Sequence, residues 1–522
     1  MASQRKLGVI IPLIIVGVLV LLAGGGYLGY KFFAAGKVEQ EVKQAVADLE
    51  KANPGLSIKY DNLAMSWQTG RVNLKNLKVT HKDDPVSLTA ETASVRDLTA
   101  VGITRIPSSL IMDRVVVTTR KGKVTIDQVE ASAAVNRIVT RQEMAADPLL
   151  GLEVVRQADI VLKNLAVADK EDSVTVGSLS LAYGAEKEQM VKIALNRLAV
   201  VSQGKEAGTK VEMDDLKFQV GLNRVLRREE LAADPAVLLG ALQQFDFSVK
   251  NISVKDKQGI FSLGGGSLTW EGAKERKVAF TLSALDLNLP EVKLTLESYA
   301  NHLTLDPQNI LIYSDILLKN FLLALPPAQR GSDPFGFLRE MGYTSLKFNL
   351  DGKGTYNPQT QEDVSTMQLS GEKMGTIKVD LAGAGYRRPP LPLQGGLMGL
   401  LDFAQQWEKA MDEFALRSLK ISYQDQGLVK QLLEMGGKAM GKNAKAFSQD
   451  LVNNINGTLL LFPLPQNLRD QMKAVNQFIT NPNEIQISLA FKKPLRLKAL
   501  KDPSPDQVLN LLGQADFNIT AR

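Results

Sequence analysis

The side chains best suited to acid–base, nucleophilic or metal chemistry are scarce in this sequence. There is no cysteine and there are two histidines, His81 and His302. A thiolate nucleophile, a disulfide and a zinc site of nitrogen and sulfur ligands therefore lack their material. Neither histidine has a second histidine or an acidic ligand pattern beside it, and both read as ordinary surface or loop residues. No Gly-x-Ser-x-Gly elbow occurs, and a Ser-His-Asp arrangement would depend on the same two imidazoles. Gly436–Lys442 reads GGKAMGK, which has the spacing of a phosphate-binding loop as far as its lysine. Asn443 then stands where Ser or Thr should hold magnesium, and the preceding GLVKQLLEM is helix-like where a strand is needed. A flexible break between two amphipathic helices accounts for it better. Gly264-Gly265-Gly266 lacks a βαβ setting and reads as a turn or a close-packed strand position, not a dinucleotide loop. Asp83-Asp84 and Asp214-Asp215 are carboxylate pairs of the kind glycoside hydrolysis uses, but the turn preference of Asp explains them as solvated turn residues. Tyr183 and Trp270 end equivalent strands and read as core or rim. No residue is assigned a catalytic, cofactor-binding or metal-ligating role, and the chain is expected not to be an enzyme.

The elements around these residues are repetitive. Asn136–Tyr183 aligns without a gap to Asn223–Trp270 at an offset of 87 residues, with 19 of 48 positions identical. The heart of the unit recurs as VNLKNLKV around Lys75-Asn76, IVLKNLAV around Lys163-Asn164, FSVKNISV around Lys250-Asn251, ILLKNFLL around Lys319-Asn320 and FALRSLKI around Arg417-Ser418. In each, apolar residues alternate as in a strand, but the phase flips at the central dipeptide. A strand can do this only through a bulge, a bend or a slip, so Lys-Asn or Arg-Ser marks a kink of the kind a curved sheet needs. A second recurrent piece is a short helix opened by Asp147-Pro148, Asp234-Pro235 or Asp333-Pro334, with Ser504-Pro505 as a variant, where the polar residue caps and proline takes the first helical position. The unit reads as short helix, bent strand, turn, strand, turn, strand, stacked on one continuous core. Strands are also expected near Ser345–Tyr356, Ser365–Leu381, Gly457–Phe462 and Glu484–Phe491. Longer helices are expected at Leu397–Leu416 and Gly427–Ile455, with a linker from Arg387 to Gly396.

Leu7–Tyr30 is a run of 24 residues without a charge. At about 1.5 Å per residue it spans a hydrocarbon core of roughly 30 Å, and Tyr27, Tyr30, Phe32 and Phe33 suit the interface. FFAAGK at Phe32–Lys37 is a poor cleavage site, so a retained anchor is expected, with a cleaved signal as the alternative. The short polar leader favours a cytoplasmic N-terminus, although Lys31, Lys37 and Lys43 leave charge counting ambiguous. Val38–Lys51 follows as an amphipathic helix carrying Val38, Val42, Val46 and Leu49. The 62 basic and 56 acidic residues leave a net charge of +6 without a basic block, which argues against nucleic acid as a partner.

The anchor, the helix and YDNLAMSWQTGRVNLKNLKV at Tyr60–Val79 resemble the AsmA-like superfamily of bacterial envelope proteins, and are similar to the YdgA-like family. That resemblance implies a periplasmic, β-rich groove that helps phospholipid movement or outer-membrane homeostasis, with no catalytic residues to carry over. The expected fold is α+β and strand-dominated, a single N-terminal transmembrane helix followed by repeated, curved antiparallel β units with short helices. Its organisation is a cytoplasmic leader at 1–6, an anchor at 7–33, an amphipathic helix at 34–55, a repetitive β-rich domain at 56–300, a second β-rich region at 301–386, and a helix-containing region at 387–522 ending in strands. The expected function is that of a non-enzymatic, single-pass inner-membrane protein, anchored through residues 7–30, whose periplasmic sheet shelters or helps move lipid or other apolar ligands. The alternative is a structural or adaptor protein for other envelope proteins. No cofactor is expected.

Overall fold

The computed structural model describes part of residues 40–51 and residues 55–522, except 67–70, 83–85, 98–105, 120–121, 136–154, 169–171, 186–188, 203–207, 225–240, 273–274, 291, 327–334, 393–395, 462–465 and 501–514. The anchor at 7–33, Asp83-Asp84 and the Asp147-Pro148, Asp234-Pro235 and Ser504-Pro505 pairs lie outside the described residues, as do Val38, Val42 and Leu49. Among the described residues no helix is long and apolar enough to cross a membrane. Strands dominate, as the alternating pattern predicts, and the chain divides into two units between Lys257 and Gln258.

The first unit begins with helical residues between 40 and 51, of which Val46 packs on the core and Glu50 accepts a 2.6 Å hydrogen bond from the Ile58 amide. Its strands are β1 (Leu56–Lys59), β2 (Asn62–Ser66), β3 (Arg71–His81), β4 (Ser87–Asp97), β5 (Ile106–Thr118), β6 (Lys123–Val135), β7 (Val155–Ala168), β8 (Asp172–Ala185), β9 (Gln189–Ser202), β10 (Lys210–Leu222) and β11 (Leu242–Lys255). β1 and β2 both pair with β3. From β3 each strand pairs antiparallel with the next. The 87-residue period relates β7 to β11, so one period holds four strands. The three-strand unit expected from sequence is corrected accordingly: Gln189–Ser202 and Lys210–Leu222 are both long enough to be full strands.

The second unit contains β12 (Ile260–Gly272), β13 (Arg276–Asn288), β14 (Lys293–Leu305), β15 (Leu311–Ala324), α1 (Gly336–Glu340), β16 (Ser345–Asn357), β17 (Glu362–Gly371), β18 (Gly375–Ala384), α2 (Gly396–Glu413), β19 (Ala415–Asp425), α3 (Leu428–Ala439), α4 (Ala444–Leu461), α5 (Gln466–Thr480), β20 (Glu484–Arg496) and β21 (Ala515–Ala521). The strands again pair antiparallel in chain order. Asp333-Pro334 also lies outside the described residues; α1 begins at Gly336, with Phe335 as its N-cap and no side-chain capping bond. Three local expectations change. Ser365–Leu381 is a hairpin, not one strand, because Lys373 and Gly375 take positive φ at its turn. Gly457–Phe462 is not a strand: its apolar TLLL run continues α4, the ambiguity that short apolar runs carry. The connection after β18 is no loose linker, since Tyr386 and Arg388 are buried in it.

The phase flip has a defined backbone cause. Asn76, Arg114, Asn164, Arg197 and Asn251 in the first unit, and Ala284 and Asn320 in the second, all adopt left-handed φ of 48–53°. They fall on β3, β5, β7, β9 and β11, and on β13 and β15, every second strand. The register runs straight through most of them: Lys75 pairs Thr92 and Leu77 pairs Ala90, leaving Asn76 opposite Glu91. One left-handed residue rotates the chain so that the next alternation returns to the same side. Leu74, Leu77 and Val79 are therefore all buried on one face, as are Leu110, Met112, Val115 and Val117. Asn visits this conformation readily, whereas Arg and Ala pay a steric cost there. Arg417-Ser418 differs. It is an ordinary bulge in β19, where the register shifts against β18 and β20 without a positive φ.

Candidate functional site: an apolar sheet face

Because the left-handed residues sit at one level of the sheet, apolar residues line up into ranks that cross the strands. In the first unit one rank runs Leu74, Ala93, Met112, Val129, Leu162, Leu179, Leu195, Leu216, Val249, each paired with the next. Another consists almost wholly of valine: Val117, Val124, Val167, Val174, Val200, Val211, Val254. Over β3–β6 this face is a closed core, with Ala93 and Leu110 fully buried. Over β7–β10 the same ranks are only partly covered, with Leu181 37% exposed, while Val249 on β11 is buried. In the second unit an apolar face also runs across the strands. Leu318, Leu350, Leu369, Ile377, Tyr423 and Ile485 form one of its ranks. α5 covers its far end through Tyr423 and Phe478, whose ring centroids are 6.0 Å apart. Leu268, Phe280, Met367, Leu369 and Ile377 stay exposed. Isolated exposed apolar residues need no explanation; a contiguous run of them on one face marks a binding surface.

A polar seam crosses the sheet where the phase resets. The Asn76 amide donates to Asp61 at 2.7 Å, Asn164 to Asp127 at 2.9 Å and Asn251 to Asp214 at 2.7 Å. Arg114 pairs with Glu91 at 2.6 Å, and in the second unit Asn320 donates to Glu297. Where the left-handed residue lacks such an acceptor, a glycine lies opposite. A Cβ on Gly177 would come within 2.8 Å of Arg197, and one on Gly264 within 2.7 Å of the Ala284 Cβ. Asp214-Asp215 is thereby corrected. The pair sits in mid-strand, not in a turn, with Asp215 accepting from Asn196 at 2.6 Å. Gly264-Gly265-Gly266 is the close-packed strand alternative. The signal that would have located Arg114, Arg197 and Ala284 was present in Leu110/Met112 against Val115/Val117 and its equivalents, but without an Asn to mark it.

The remaining sequence candidates are scattered. His81 ends β3, while His302 on β14 lies 4.0 Å from the Asp315 carboxylate. Among the described residues no three metal-binding side chains come together. In the GGKAMGK stretch Gly436 and Gly437 belong to α3, and a Cβ on Gly436 would meet the Phe447 ring of α4 at 2.5 Å. Helix packing explains Gly436, the backbone of Lys442 and Asn443 crowds Gly437, and Lys442 pairs with Asp450 instead of facing a phosphate. Tyr183 accepts a 3.5 Å hydrogen bond from Gln189, and Trp270 lies near the end of β12.

Sequence gave no hint of the buried cluster that straps the connection after β18. Arg388 Nη2 contacts Asp363 at 2.6 Å, its Nε donates to the Tyr386 hydroxyl at 2.9 Å, and its Nη1 donates to the Leu311 carbonyl at 2.9 Å. Tyr386 donates to Asp363, and Tyr356 donates to the Tyr386 carbonyl at 3.0 Å. Burial, then the hydrogen bond to Asp363, holds the Tyr386 phenol well above its usual range. These mutual hydrogen bonds fasten the chain to β15 and β17. A family model described as "Uncharacterized protein" matches residues 338–522, which take in β16–β21 with α2–α5. No curated protein matches the chain.

Proposed function

We propose that this is a non-enzymatic protein of the bacterial envelope, anchored in the inner membrane through residues 7–30, whose periplasmic sheet shelters or passes on lipid or another apolar ligand. The observation that carries the reading is the partly uncovered apolar face over β7–β10, with its counterpart over β12–β18. Leaving a Val, Leu, Ile or Phe side chain out of the core forgoes about 1.5–3 kcal/mol, so a face of aligned ranks left open has a use that offsets this loss. On β7 the apolar positions run from Ile160 to Val167, roughly 23 Å at about 3.3 Å per residue. One leaflet of hydrocarbon is about 15 Å deep, half a core of roughly 30 Å, so an acyl chain fits along the strands. The charge-free run at Leu7–Tyr30 supports the anchor. Full-length protein purified from membranes in mild detergent, then washed and extracted, tests the reading. Mass spectrometry is expected to recover co-purifying lipid in stoichiometric amount. Protein free of lipid, with its apolar face closed to added probe, would rule the reading out.

A further inference from the structure

Two buried hydrogen-bond donors without an acceptor among the described residues lie at one end of the apolar face of the second unit. In the β12–β13 register Trp270 faces Val278 and Gly272 faces Arg276. Arg276 is thus the diagonal neighbour of Trp270, about 7–8 Å away and within reach of long side chains. Strand alternation places Trp270 on the side of Leu268, and Arg276 on the side of Val278 and Phe280. Trp270 Nε1 and Arg276 Nη1 are closed off from solvent, and neither has a hydrogen-bond partner among the described residues. Indole and guanidinium groups only donate, so neither can satisfy the other. A buried donor left unpaired is costly. Next along the same face, Leu268 and Phe280 are 36% and 37% exposed.

We propose that Trp270 and Arg276 bind the anionic head, a carboxylate or a phosphate group, of an amphiphile whose chain lies along this face. The proposal rests on the sheltering function above and adds a head-binding end to it. The chemistry selects an anion because the pair supplies two donors, one of them charged, and hydrogen bonds to a charged group are the stronger ones. The guanidinium fork matches either group. An alcohol offers the same chain and no charge.

Titration of the full-length protein in detergent with hexadecanoate, hexadecyl phosphate and hexadecanol tests this, read by displacement of a fluorescent apolar dye. At least one anion is expected to bind about tenfold to a hundredfold more tightly than the alcohol, the span that hydrogen bonds to a charged group provide. The anion with the larger advantage identifies the head group. Arg276→Gln and Trp270→Phe are each expected to shrink that advantage, weakening the anions more than hexadecanol, whose hydroxyl accepts from the same N–H groups without a charge. Trp270→Phe removes the N–H with little change in shape and serves should Arg276→Gln fail to fold. Hexadecanol binding as tightly as both anions, or an anion preference that survives both substitutions, would overturn the assignment while leaving the sheltering function intact. Binding of none of the three would overturn both.

Discussion

At the residue scale, the account turns on one backbone conformation repeated on every second strand. Asn164 combines a φ of 50° with a 2.9 Å hydrogen bond to Asp127. Asn164→Gly should stay within about 1 kcal/mol of wild type, because glycine adopts this φ freely. Asn164→Val should cost about 2 kcal/mol or more, from a β-branched residue forced left-handed together with the lost hydrogen bond. Ala284 gives the converse case. It pays roughly 1–2 kcal/mol for its φ, so Ala284→Gly should leave stability unchanged or raise it by up to about 1 kcal/mol. Denaturant titration reads all three, and a tolerated Asn164→Val would remove the bend from the account. A second residue-scale prediction concerns alkali. Burial is the main cause, with hydrogen bonds to Asp363 and Asp425, that raises the Tyr386 and Tyr423 phenols. A folded-state pKa above the unfolded one means that the unfolded chain releases its protons first. Stability should therefore hold below about pH 10, the ordinary tyrosine value, and fall as pH rises beyond it. Tyr423→Phe should flatten that fall; an unchanged slope would show that this phenol does not contribute to it.

At the element scale, much was legible and its limits are physical. The Lys-Asn motifs named four of the bends, because Asn is the residue that tolerates left-handed φ. Arg114, Arg197 and Ala284 escaped, since nothing in their chemistry announces it and only the phase of their neighbours does. Gly436 could be read as a phosphate loop or a packing glycine until Phe447 was seen against it. Replacing Gly436 with Ala should loosen α3 against α4 and cost about 1–3 kcal/mol, the range for overpacking. Nucleotide binding should be absent in both forms. At the edge of the second unit, Gln471 of α5 donates to the Phe517 carbonyl and accepts from the Ile519 amide at 3.1 Å. One side-chain amide thus occupies outward groups on β21 that another strand would take. The Gln471→Ala protein should associate in a concentration-dependent manner where wild type does not, as sedimentation velocity would read. A variant that remains as monodisperse as wild type would deny the amide this role.

At the scale of the whole molecule, the strand-rich architecture and its period were readable, whereas the open face was not. Apolar periodicity records which side of a strand is greasy. It cannot record whether something covers that side, and β3–β6 and β7–β10 carry the same pattern with opposite outcomes. The polar connection at Tyr386–Arg388 was hidden for a related reason, since its partners Asp363 and Leu311 are remote in sequence. What the open face holds is the central claim, and site-specific photo-crosslinking in cells tests it most directly. A photoreactive amino acid would be placed at Leu195 or Phe280 on the apolar face, and at Lys192 or Lys277, the neighbouring positions that alternate to the other side. The account predicts lipid adducts from Leu195 and Phe280, and few or none from Lys192 and Lys277. Adducts to a defined protein at the apolar positions, or equal labelling of both sides, would contradict it.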